Sequence, residues 1–139
     1  VNPYNFSGDR KKTMMYVSLA GPLMNLVLAY LSVFGIKLAT LFMPSGAAKS
    51  YLQTFFWMLL FYNVVLALFN LIPIPPLDGS KILMGILPDK YSGIIYSLER
   101  YGMIILLLLV FTGAIRGILG GAVHGVMNFL IKLGGVGLF

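Results

Sequence analysis

The residues best able to do chemistry in this chain stand together in one stretch, Asn70-Leu-Ile-Pro73-Ile-Pro75-Pro76-Leu-Asp78-Gly79. No charge occurs over residues 50–77, and Asp78 ends that run. A carboxylate at the end of a broken membrane helix costs roughly 3 kcal/mol on insertion scales, so it is treated as functional by default. Two uses compete on the residues alone. Asp78 and Ser80 both suit the N-cap of a helix over residues 81–87, and Asp78 equally suits a functional site. The prolines donate no backbone hydrogen bond and bias the residues before them to extended geometry, which predicts an extended break at 71–77. Irregular backbone at membrane depth is tolerated only beside protein or water. The unpaired groups around Ile72 and Ile74 are then free to hold an extended peptide by strand-like pairing. Asn63 and Asn70, seven residues apart, share a helical face and are expected to line one polar seam. His124 is the sole histidine and lies four residues from Asn128, so it reads as a solvated residue on a polar helix face. With no cysteine there is neither a disulfide framework nor a thiolate metal site.

The elements that must position Asp78 belong in a bilayer. Hydrophobic residues make up 59% of the 139 and charged residues only 10%, beyond what a soluble domain carries. The fold class expected is all-α integral membrane, in one domain over 1–139. It has about three transmembrane helices near 14–38, 51–72 and 101–119, each close to the roughly 20 residues a crossing needs. A short half-helix after Asp78 and an amphipathic C-terminal helix complete it. Residues 1–6 read as a short interfacial segment, and Gly8-Asp9 as a turn before the basic cluster Arg10, Lys11 and Lys12. The net charge of +6 is scattered among apolar spans, which argues against a nucleic-acid partner and for topology signals on a multi-pass protein of the cell membrane. Gly113, Gly117, Gly121 and Gly125 form a small-residue ladder that lets another helix approach, whether within the chain or in an oligomer. Gly120-Gly121 is a candidate helix break.

A second polar stretch, Ser18-Leu-Ala-Gly21-Pro22-Leu-Met-Asn25, lies inside the first span. Pro22 frees the carbonyl of Ser18 and permits a kink, while the small residues allow close approach and Asn25 seeks an inter-helix hydrogen bond. Packing is the simpler reading, and substrate contact the alternative.

The proline stretch resembles the Asn-x-x-Pro-x-Pro-x-x-Asp-Gly motif of the site-2 proteases, intramembrane zinc metalloproteases of the M50 type. Asn70, Pro73, Pro75, Asp78 and Gly79 all fall in register. The earlier stretch is similar to the family's Ala-Gly-Pro-x-x-Asn signature. The resemblance implies hydrolysis of a transmembrane protein or peptide substrate by a zinc-bound water. It implies Asp78 as a metal ligand and Asn70 as the contact to substrate or developing oxyanion. Ile72, Pro73, Ile74 and Pro75 become substrate-binding residues, and Gly21, Pro22, Asn25 and Gly79 structural ones. Catalytic zinc takes three protein ligands and an open position. In the family two histidines of a His-Glu-x-x-His helix supply the others, and this chain contains no such motif. The zinc site is therefore expected to be incomplete here and the chain alone inactive. Starting at Val1, it reads as the part downstream of a missing metal-ligand helix. An inactive scaffold relative, or a transporter or channel subunit with a broken-helix ion site, are the alternatives.

Overall fold

The computed structural model describes residues 7–135 apart from Pro76, and of residues 7–11, 89 and 92 the backbone alone. The regular elements are helices: α1 Ser7–Phe42, α2 Ala47–Asn70, α3 Asp78–Ile86, α4 Ser92–Phe111 and α5 Ala114–Leu133, with a 3-10 turn at Asp89–Tyr91. The expectation for residues 1–6 lies outside the described residues. Among the described residues, α1, α2, α4 and α5 have the length and apolar composition to cross a bilayer. Large apolar side chains cover their outer faces, Phe42 being 77% and Phe111 82% exposed. In water such a surface would aggregate; acyl chains solvate it. The protein is an all-α membrane protein.

Helix α1 buries one stripe, Ser18, Pro22, Ala29, Ser32, Val33, Ile36 and Ala39, at the three- and four-residue spacing of a single face. The second half of that stripe receives α2, which runs antiparallel to it. Gly35 lies under the Phe56 ring, and Gln53 Nε2 donates to Thr40 Oγ1 at 2.9 Å. Lys49 Nζ donates to the Thr40 carbonyl at 3.0 Å, placing a cation on the C-terminal end of α1 where the helix dipole favours it. The first half of the stripe receives α3, with Asp78 beside Gly21 and Gly85 beside Met15. Helix α5 closes the core, Val123 and Leu130 packing with Ala29, Val33, Ile36, Leu60 and Val64. In lipid these contacts gain little from hydrophobicity and rest on close packing, which explains the small residues along α1.

The boundaries differ from those read in the sequence at several places, and α4 starts at Ser92, well before the expected 101. Gly8-Asp9 makes no turn, because α1 already begins at Ser7. The helix expected over 101–119 is interrupted after Phe111: Gly113 adopts a left-handed φ of 77°, and its amide bonds the Val110 carbonyl at 3.2 Å. That is a glycine C-cap, open to a residue without a β-carbon. Gly120-Gly121, by contrast, lies within an unbroken α5. The C-terminal helix, read as amphipathic and interfacial, is also long and apolar enough to cross a bilayer.

Candidate active site

Helix α2 ends at Asn70 for lack of donors beyond it. The Leu71 amide is shared between the Ala67 and Leu68 carbonyls, at 3.2 Å each, and the Ile72 amide reaches Phe69 O at 3.1 Å. Pro73 and Pro75 then offer no N–H, so the remaining amides take the nearest carbonyls. Ile74 N–H bonds Ile72 O at 2.8 Å, and Leu77 N–H bonds Ile74 O at 2.9 Å. The break at 71–77 therefore lies where the prolines put it, but among its described residues the amides of Leu71, Ile72, Ile74 and Leu77 are closed onto nearby carbonyls. The amide and carbonyl of both Ile72 and Ile74 have internal partners, so these residues present no free strand edge as the chain stands. Pro73 is exposed, while Ile72, Ile74 and Pro75 are half-buried. Pro76 lies outside the described residues.

Helix α3 starts at Asp78 itself, with Leu77 as N-cap in extended geometry and no side-chain capping bond. The Leu77 carbonyl is taken by Ser80, from its amide at 3.2 Å and from Oγ at 2.8 Å. The capping role open to Asp78 in the sequence is thus not the one it plays. Its carboxylate sits in the first turn, where the amide ends of α3 favour a negative charge, and borders α1 so closely that a β-carbon on Gly21 would stand 3.2 Å from Oδ2. Gly79 is buried, and a β-carbon there would overlap the Leu71 and Ile72 carbonyls. The start of α3 is thereby pressed onto the end of α2.

The two sequence stretches consequently meet at Asp78, Gly79 and Gly21. Pro22 is fully buried, and Asn25, one turn beyond Gly21, is half-buried. Asn70 is half-buried at the last position of α2. Among the described residues the side chains of Asn25, Asn70 and Asp78 form no hydrogen bond or ion pair. The polar seam expected from Asn63 to Asn70 is not built as such, because Asn63 Nδ2 turns back to the Leu59 carbonyl of its own helix at 2.8 Å. His124 is exposed on α5. No three histidine, cysteine or acidic residues stand close enough together to hold a metal ion, among the described residues. Sequence reasoning missed Gly102, which carries α4 onto the Pro75 carbonyl. The available signal was a glycine in the middle of an Ile and Leu stripe on a helix.

Residues 36–112, more than half of the chain and including the whole proline break, match the model of peptidase family M50. Several curated relatives carry the name putative zinc metalloprotease. YwhC of Bacillus subtilis is 41% identical over 98 residues, 69% of this chain and 45% of that protein. MJ0611 of Methanocaldococcus jannaschii is 41% identical over 70 residues, covering 48% of this chain and 31% of the relative. Rip3 of Mycobacterium tuberculosis is 29% identical over 118 residues, or 83% of this chain against 29% of its own length. The chain thus spans less than half the length of each of these relatives. No solved structure matches it. With the family's span reaching from the second half of α1, through Asn70, Asp78 and Gly79, to the end of α4, the chain belongs to peptidase family M50.

Proposed function

We propose that the chain supplies the aspartate-bearing part of an intramembrane zinc metalloprotease that cleaves transmembrane proteins or peptides in the cell membrane. The observation that carries this reading is the state of Asp78. It is a half-buried carboxylate at a helix start, without a capping bond, hydrogen bond or ion pair among the described residues, set against the glycine of the second motif. An acid kept at such a place without a protein partner is kept for a ligand. The family implies zinc. The donors present do not by themselves fit it, since Asp78 belongs to no group of three candidate ligands among the described residues. The remaining ligands come from another segment, so this chain alone is inactive and binds zinc weakly.

Asn70 keeps a half-buried amide free at the end of α2 and engages the substrate backbone or the developing oxyanion. Ile72, Pro73, Ile74 and Pro75 line the substrate path, and their internal hydrogen bonds must open before the backbone can pair with an extended peptide. The experiment joins the chain to a His-Glu-x-x-His helix and follows cleavage of a membrane-embedded reporter. Asn70→Ala should cut cleavage by about 100-fold, in the range of losing one oxyanion donor, while membrane insertion and zinc content stay unchanged. Equal loss of cleavage, insertion and zinc would make Asn70 a folding residue.

A further inference from the structure

We propose that Gly102, midway along α4, is a positioning residue for Asp78, acting through the proline break; this rests on the reading of Asp78 as the functional carboxylate. Helix α4 turns one face inward, formed by Ile95, Leu98, Gly102, Ile105, Leu106 and Leu109, of which Ile95, Gly102 and Leu106 are buried and the others half-buried. All but one of these are Ile or Leu. The exception is glycine, the poorest helix former after proline, and it stands where the break approaches α4. A β-carbon on Gly102 would overlap the Pro75 carbonyl oxygen and lie 3.3 Å from Pro75 Cβ. The obstacle is backbone next to a proline ring, which has no rotamer through which to escape.

Displacement at Pro75 reaches Asp78 directly. The Leu77 amide is tied to the Ile74 carbonyl at 2.9 Å, one residue before Pro75, and Leu77 is the N-cap on which α3 begins. Beyond that cap, Gly79 bears on the Leu71 and Ile72 carbonyls and Asp78 borders Gly21. The carboxylate is thus located by three glycine contacts from two helices and its own, and Gly102 is the one that belongs to neither motif. Other glycines of the chain lack this property: Gly93 on the same helix, and Gly117, Gly120, Gly121 and Gly125 on α5, would meet nothing within 4 Å. In an active enzyme the consequence is large, because a misplacement of about 1 Å at a reacting group can cost on the order of 100-fold in rate.

The chain has no cysteine, so paired cysteines can read the geometry without any metal or activity. A Gly21→Cys/Asp78→Cys pair reports the seat of residue 78, and a Thr40→Cys/Gln53→Cys pair reports the α1–α2 hairpin. Gly102→Ala should lower crosslinking of the first pair and Gly102→Leu should reduce it several-fold more, with the second pair unaffected. Gly93→Leu should leave both pairs as they are. Unchanged crosslinking of the first pair in Gly102→Leu would overturn the proposal, and so would loss of both pairs, which would make Gly102 a general folding residue. Because this readout needs no zinc, failure of Asp78 as a metal ligand would appear in metal content and not here.

Discussion

The carboxylate of Asp78 and the backbone of Gly21 occupy adjoining space, such that a β-carbon on the glycine would stand 3.2 Å from Oδ2. This contact joins the two motifs through residues more than fifty positions apart in the chain. It gives Gly21 a reason to be glycine that the local helix does not supply. A methyl group there needs the carboxylate to give by a few tenths of an ångström, whereas a longer side chain must displace it. Gly79 is less forgiving, since its neighbours are the Leu71 and Ile72 carbonyls. We predict that Gly79→Ala destabilises the protein by about 1–3 kcal/mol, the usual range for overpacking, and that Gly21→Ala costs less. Unfolding in mixed micelles checks the order; a Gly21→Ala variant weaker than Gly79→Ala would contradict it.

The α1–α2 hairpin depends on the close approach at Gly35. A β-carbon there would come within 2.5 Å of the Phe56 ring. Gly35→Ala should cost about 1–3 kcal/mol, with partial recovery when Phe56 is shortened to Leu in the same chain. Gly117→Ala, on an open face of α5, should stay within about 0.5 kcal/mol of the parent. Equal destabilisation at Gly35 and Gly117 would show that the hairpin is not packed as described.

The ends of the bundle carry a topological prediction. Gly85 beside Met15 brings the segment after α3 to the N-terminal end of α1, whereas Lys49 and Gln53 meet Thr40 at the opposite end. Lys90 also sits over Tyr91, at 5.1 Å from the ring centroid, an aromatic and basic combination suited to the headgroup level. Single cysteines at positions 12 and 90 should be labelled from the cytoplasmic side, and one at position 45 only from the other. Labelling of positions 45 and 90 from the same side would sink this arrangement.

What the sequence made legible was whatever a single residue type enforces locally. Proline at 73 and 75 ends α2 because it has no N–H to give, and that holds in any tertiary context. The long uncharged runs became helices for the same kind of reason, since lipid leaves the backbone no other partner. Contacts between distant residues were not legible. Nothing near Gly21 announces Asp78, and nothing near Gly102 announces Pro75. The backbone groups expected to be unpaired around Ile72 and Ile74 are paired within the chain, because their amides and carbonyls close onto partners two and three residues away. The break after Phe111 was misplaced because Gly113 and Gly120-Gly121 carry the same local signal, and only Gly113 takes the left-handed conformation.

Zinc content decides the central claim that Asp78 is a metal ligand. The purified chain should hold well under one zinc per molecule, because one carboxylate does not make a three-ligand site. The same chain joined to a His-Glu-x-x-His helix should approach one zinc, and Asp78→Ala in that protein should return it to the low value while the Thr40→Cys/Gln53→Cys crosslink shows the fold intact. Stoichiometric zinc in the chain alone, or full zinc in the joined protein after Asp78→Ala, would contradict the account.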